Sequence, residues 1–137
     1  MNNSLFYANL DKNNLNHTKE RIALFNELKK LDAPCTITEL VDKTKDIMNK
    51  STVYRTIDLF EKIKVTKRVY SGWKYSIELS DQFSPHHHHF TCTNCGNVTS
   101  FLESQSLMNE FSKLEKSLNS KITSHSLELR GLCRNCC

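Results

Sequence analysis

"NKSTVYRTIDLFEKIKVTKRVYSGWKYSIEL", residues 49–79, changes its period halfway along. In its first half Val53, Ile57 and Phe60 recur at helical spacing behind cap-type residues. Its second half is rich in β-branched and aromatic residues and breaks at Ser71-Gly72, a hairpin signal. Upstream, "TKERIALFNELKKL" places Ile22, Phe25, Leu28 and Leu31 on one helical face, with Thr18 set to cap the start and Pro34 to end the helix. "TITELVDKTKDIM" repeats the pattern with Ile37, Leu40, Val41, Thr44 and Ile47. Three short helices and a hairpin describe a winged helix-turn-helix, in which the helix before the wing enters the DNA major groove.

That helix, expected to start near Ser51, leaves Thr52, Tyr54, Arg55, Asp58 and Lys62 outward. Lys62, Lys64, Lys67, Arg68 and Lys74 gather at its end and along the hairpin, where phosphate contacts fall. Ordinary solvated charge is the competing reading of the same residues. Charge placement leans the same way as the pattern. Up to Ser80 there are 14 Lys and Arg against 10 Asp and Glu, and from Asp81 onward 5 against 5, so the net +4 sits entirely in the first half.

At 137 residues, 38% of them hydrophobic and 25% charged, the chain suits one domain or two small ones. The start, "MNNSLFYANLDKN", lacks the basic region and apolar core of a signal peptide, and no apolar run is long enough to cross a bilayer. The expectation is a cytoplasmic protein with no membrane partner. Thiols stay reduced there, so paired cysteines read as metal ligands before disulfides.

The second half has a different grammar. Strand-like pieces occur at "HHFTC", "NVTSF" and "ITSHSLELRGL", with a helix-like "SLMNEFSKLEKSL" before the last. Leu107, Phe111, Leu114 and Leu118 form a stripe that reads as core. In the last strand, alternation puts His125, Leu127 and Leu129 on one face. The two halves are expected to be residues 1–80 and 86–137, with a hinge over 81–85.

Cys92-x-x-Cys95 and Cys133-x-x-Cys136 are separated by 37 residues. Each is a knuckle that aims two thiolates at one point, and two knuckles supply a closed, structural tetrahedral zinc site. Redox chemistry is the rival use of Cys-x-x-Cys. Cys137 is spare, a terminal passenger or an alternative ligand. Four histidines, His86 to His89, precede the first knuckle in "SPHHHHFTCTNCG", residues 84–96. If the run is extended, His87 and His89 face one side and His86 and His88 the other, so one run can feed two metal sites; a solvated polar run is the plain alternative.

Together these segments resemble the ferric uptake regulator (Fur) family of bacterial metal-responsive repressors, with its zinc-responsive (Zur-like) branch the one suggested. "STVYRTIDLF" is similar to its recognition-helix signature, "HHHHFTCTNCGNVTSF" to its histidine-cysteine motif, "HSLELRGLCRNC" to its closing segment and "LNHTKERIALF" to its first-helix signature. The resemblance implies an α+β homodimer: an N-terminal winged helix-turn-helix followed by a small α/β dimerisation domain with a four-cysteine zinc site. It puts Cys92, Cys95, Cys133 and Cys136 on the structural zinc. It puts Glu78, His87 and His89 on a regulatory metal, and His86, His88 and His125 on a second site. Tyr54 and Arg55 fall on base-contacting positions, and Lys12 on a minor-groove contact. Thr52, Lys67 and Arg68 complete the expected DNA-binding set.

The departures bear on the metal. Pro34-Cys35 stands where the family often has a histidine, Ser100 and Leu107 where it often has carboxylates, and His88 where it has an aspartate. Cys35 is therefore a candidate sulfur ligand of the regulatory site, and Glu103 a candidate replacement carboxylate of the second. A nitrogen-rich set favours Zn2+, with nickel next, over Fe2+ or Mn2+. The expected function is a metal-dependent repressor of metal-homeostasis genes that binds double-stranded operator DNA. An iron- or peroxide-responsive regulator of the same fold and a metal-buffering protein are the alternatives. An enzyme is not expected: a catalytic zinc needs an open position and a general base, and no His-Glu-x-x-His is present.

Overall fold

Thr18 caps the second of four helices that open the chain: its side chain accepts a hydrogen bond from the Arg21 N–H. In order the helices are α1 (Ser4–Lys12), α2 (Lys19–Lys29), α3 (Ile37–Thr44) and α4 (Lys50–Lys62), followed by the hairpin β1 (Thr66–Ser71) and β2 (Lys74–Leu79). A computed structural model describes residues 3–137 and divides the chain into two units that meet between Pro85 and His86. α3 begins with a reciprocal box in which the Glu39 N–H donates to Thr36 Oγ1 and the Thr36 N–H to Glu39 Oε2. Asn49 caps α4 by accepting from the Thr52 N–H at 2.9 Å.

α4 ends in a left-handed turn at Lys64, φ +63°. The Val65 N–H reaches back to the Phe60 carbonyl at 2.8 Å and the Lys64 N–H to that of Glu61 at 3.2 Å, the double bond of a Schellman stop. This turn launches β1 from the base of α4. Antiparallel pairing then runs from Thr66↔Leu79 to Ser71↔Lys74.

The first unit has a true apolar core. Leu24, Phe25, Leu28, Ile37, Leu40, Val53, Ile57, Phe60, Val65 and Ile77 are all buried in one cluster. α1, which the sequence pattern did not announce, adds Phe6 and Leu10. Phe6 stacks on Phe25 at 4.0 Å and meets Phe60 edge-on at 5.5 Å. Two buried residues one turn apart are too short a stripe to stand out against a polar background. Ile47 lies past the end of α3 and is exposed, and Met48 takes the buried place instead. Residues 81–85, expected as a hinge, go with this unit, because Phe83 is buried edge-on against Phe25 at 5.5 Å.

The second unit holds β3 (His87–Cys92), β4 (Val98–Leu102), α5 (Gln105–Leu118) and β5 (Glu128–Gly131). Its sheet order is β4-β3-β5, with β3 antiparallel to β4 and parallel to β5, α5 making the crossover. Ser104 caps α5 and Asn119 ends it at φ +48°.

Two expectations fail here. The last strand starts only at Glu128, so His125 is not part of it; the preceding stretch is tied instead to α5 by the Ile122 N–H on Glu115 Oε1 at 2.8 Å. Nor is the α5 stripe core: Leu114 and Leu118 are exposed, Leu118 at 65%. A unit of this size lacks the material to cover both faces of its own helix. Among the described residues no helix is long and apolar enough to cross a membrane.

Candidate metal centres and nucleic-acid face

The four-cysteine cluster follows from strand register. β3 ends at Cys92 and β5 at Gly131, paired in parallel, so both knuckles hang from the same end of the sheet. The Thr93 N–H donates to the Gly131 carbonyl at 2.8 Å and locks the two exits together. Gly96 turns the first knuckle at φ +75°, returning its N–H to the Cys92 carbonyl at 2.9 Å.

The four sulfurs lie within 4.8 Å of one another, with Cys95 and Cys133 3.7 Å apart. Tetrahedral Zn–S bonds of about 2.3 Å put sulfurs about 3.8 Å apart, close to the Cys95–Cys133 separation, so the set suits that ion. The Cys133 N–H and Asn94 Nδ2 donate to Cys92 and Cys136 sulfurs, each at 3.3 Å, as thiolates require. Backbone N–H groups, that of Cys95 foremost, bring the Cys92 thiol down to about 6. At Cys95 the Asn97 N–H pulls downward, but hydrogen bonds among the thiols, beginning with that from Cys92, together with desolvation carry it up to about 11. The thiols share their ionisation, and a cation would draw them into the thiolate form together. Cys137 lies apart, its thiol beside the Arg134 carbonyl at 3.9 Å.

The second cluster is built by alternation. His88, in β3 opposite Phe101 of β4, points inward and is only 3% exposed. Glu103 leaves the end of β4, His86 precedes β3, and His125 arrives from the connection between α5 and β5. Their ligand atoms lie within 4.8 Å of one another. His86–His125, His125–His88 and His86–Glu103 separations are 3.4, 3.3 and 3.4 Å, and His88 Nε2 is 2.6 Å from Glu103 Oε1. His125 also contacts Glu103.

Metal–nitrogen bonds of about 2.0–2.1 Å in a tetrahedron give edges of about 3.3–3.4 Å, matching three of these. Three imidazole nitrogens aimed at one point repel unless protons or a cation lie between them, so the set fits a divalent ion. The hydrogen bond from His88 leads in holding the Glu103 carboxyl below its usual range, opposed by desolvation. Phe111, 4.6 Å from the His125 ring, and Phe101, 5.7 Å from His88, wall the site.

His87 and His89 take the other face of β3, edge-to-face at 5.0 Å. Glu78 belongs to the first unit, on β2 opposite Lys67, whose Nζ is 3.4 Å from its carboxylate. Cys35 is not placed as a ligand. Its backbone bridges Ile77, its side chain lies in the core cluster, and burial, seconded by Glu39, pushes its thiol up to about 12. Among the described residues it is not grouped with any cluster of ligand atoms.

On α4, Tyr54 and Arg55 are exposed and Thr52 half-buried. Arg55 Nε donates to the Ser51 carbonyl, and Lys50 Nζ lies 5.8 Å over the Tyr54 ring. Lys12 ends α1, exposed. Lys67 and Arg68 are engaged within the unit: Lys67 reaches Asp81 at 2.7 Å and Arg68 reaches Glu61 at 2.6 Å. A cleft of about 240 Å³ lies between α4 and the start of α2, lined by Arg21 and Thr18 as well as Thr52 and Arg55. Arg21 is held there by Nη1, which donates to the Asn16 carbonyl at 2.6 Å.

Comparison with known proteins agrees with this geometry. The ferric uptake regulator family matches residues 12–130. The ferric uptake regulation protein of Campylobacter jejuni is 30% identical over 135 residues, covering 93% of this chain and 83% of its own. The Helicobacter pylori ferric uptake regulator, described as having three functional metal binding sites, shares the fold with a TM-score of 0.78 at 21% identity, covering 96% of this chain and 88% of that one. A zinc uptake regulator complexed with zinc and DNA shares it with a TM-score of 0.58 at 20% identity, covering 96% and 90%. With a winged helix, a four-sulfur cluster and a match across nearly its whole length, this chain belongs to the ferric uptake regulator family of metal-responsive regulators.

Proposed function

We propose that the protein is a metal-dependent, DNA-binding transcriptional repressor of metal-homeostasis genes, acting in the cytoplasm as a homodimer, with zinc as the favoured signal. The observation that carries this reading is the nitrogen-rich cluster of His86, His88, Glu103 and His125 beside a separate four-sulfur cluster. One set is closed and sulfur-only, as a structural zinc requires. The other is built from groups that exchange protons and metal near neutral pH.

The four cysteines would hold the structural zinc. Glu78, His87 and His89 would carry the regulatory metal. Cys35 is left out of that set, since its side chain packs in the core cluster and its sulfur is not grouped with those ligand atoms. Tyr54, Arg55 and Thr52 would read base edges, with Lys12 reaching the minor groove and Lys67 and Arg68 exchanging their carboxylate partners for phosphates. Metal occupancy acts by population shift, favouring the arrangement that fits an operator. The Glu78 oxygen keeps Fe2+ or Mn2+ open as the signal, since harder ions prefer carboxylate.

Elemental analysis of the purified protein, followed by titration with zinc, iron, manganese and nickel while monitoring binding to its own promoter DNA by anisotropy, tests the reading. His87→Ala or His89→Ala is expected to abolish the metal response with the four-cysteine zinc intact. His86→Ala or His88→Ala is expected to act more mildly. Equal effects from all four substitutions would refute the division into two sites. Metal-independent DNA binding, or none with any metal, would refute the function.

A further inference from the structure

The two strands of the hairpin are joined by Gly72 and Trp73 alone, since Ser71 pairs with Lys74. Gly72 has φ +64° and a Cβ there would meet nothing within 4 Å, the form of a tight primed turn with glycine at its first central position. Its companion is the chain's single tryptophan, 87% exposed at the tip. An indole is highly buried on average, so one held out on a tight turn marks a contact surface.

Its surroundings identify the partner's chemistry. Lys74 Nζ stands 5.3 Å over the indole ring. Tyr70, also exposed, packs on Tyr75 at 6.0 Å, and Arg68 lies 4.3 Å over the Tyr75 ring. Interleaved cations and aromatic faces suit a polyanion with flat apolar surfaces, which describes nucleic acid. The ribbon is also aimed from a fixed base, because Arg68 pairs with Glu61 on α4 at 2.6 Å.

We propose that Trp73 is a DNA contact. The wing tip enters the minor groove beside the major groove read by α4, with the indole packed on the sugar walls and Lys74 on phosphate. The proposal rests on the DNA-binding reading above. Six-residue strands give the ribbon a reach of about 20 Å, and the neighbouring groove lies about half a helical turn, or 17 Å, along the duplex. The indole N–H meets only acceptors on the floor of an A·T step but the guanine amino donor at a G·C step, so the contact favours A·T there.

The test uses full-length, zinc-reconstituted protein and a labelled duplex selected in vitro with the wild type. The single indole reports directly: its emission should become shielded from acrylamide when the duplex binds. Trp73→Ala should weaken binding about tenfold or more while Trp73→Phe retains most of it. The salt slope should stay unchanged in Trp73→Ala but flatten by about one in Lys74→Ala. Replacing A·T by G·C under the wing should penalise the wild type and not Trp73→Ala. Normal affinity in Trp73→Ala, or an indole still quenched in the saturated complex, overturns the proposal and leaves the DNA-binding reading standing. An indole already shielded without DNA, in proportion to protein concentration, overturns it in favour of contact between copies. Failure of the wild type to select any duplex, with Arg55→Ala indistinguishable from it, brings down the DNA-binding reading itself and this proposal with it.

Discussion

Arg55 and Cys35 show how differently a single side chain can be constrained. Arg55 is exposed on α4 and makes only a long bond to its own helix, so it is available for a base edge. Arg55→Ala is expected to reduce discrimination between operator and random duplex by about 1–3 kcal/mol, measured by competition anisotropy, with little change in melting. Cys35 is locked in the core with its thiol pushed up to about 12. In the unfolded chain that thiol ionises near its ordinary value, and in the folded chain it does not. Stability is therefore intact below about pH 9 and declines as pH rises from there toward 12. Denaturant melts across that window should show a steeper decline for the wild type than for Cys35→Ala. At pH 8 the folded protein should protect Cys35 from iodoacetamide. Rapid alkylation there would contradict its burial.

At the scale of elements, the joint between α4 and β1 and the outer face of α5 make opposite demands. Lys64 holds a left-handed conformation where glycine is the unstrained choice. Lys64→Gly should leave the Schellman bonds in place and raise stability by up to about 1 kcal/mol in urea melts; a loss would show that the lysine stem packs against something essential. α5 has no fully buried residue, and Leu114 and Leu118 stand exposed along one stripe with Phe111 and Leu107. An apolar stripe of that kind is a helix face in search of cover, which supports the proposed dimer. Leu118→Glu should shift the protein from dimer to monomer in sedimentation equilibrium without loss of the four-sulfur zinc. An unchanged dimer would place the interface elsewhere.

Across the whole molecule the two units differ in what holds them. The first buries Phe6, Phe25, Phe60 and a ring of aliphatic residues, and such a core sustains a small domain. The second buries Cys92, His88 and Thr91 among its described residues, which is polar and metal-ligating material. Its folding free energy must come largely from the cation in the sulfur cluster and from association. Cys95→Ser, or removal of zinc by a strong chelator, is expected to erase amide protection from His86 onward while α1 to α4 and the hairpin stay protected in hydrogen exchange. A zinc-free second unit that keeps its protection would show that the sheet stands without metal.

Local features were legible in the amino-acid order. Thr18 and Asn49 cap helices because capping is decided by neighbouring backbone N–H groups, and the face-splitting of His87 and His89 from His88 follows from the pleat of any strand. The Cys-x-x-Cys knuckles and the break at Ser71-Gly72 are local for the same reason. What the order of residues could not announce depends on groups distant along the chain. α1 is held by Phe6 against Phe25 and Phe60, partners far along the chain. His125 reaches His88 from an irregular segment, and Glu103 completes that cluster because β3 and β4 fix the register between them. Cys35 looked like a ligand by position and became core through its bridge to Ile77, while Lys67 and Arg68 looked like free cations and found Asp81 and Glu61. Periodicity and turn chemistry act over a few residues and can be read along one line. Burial and charge pairing are decided by three-dimensional neighbours, and only the folded chain chooses them.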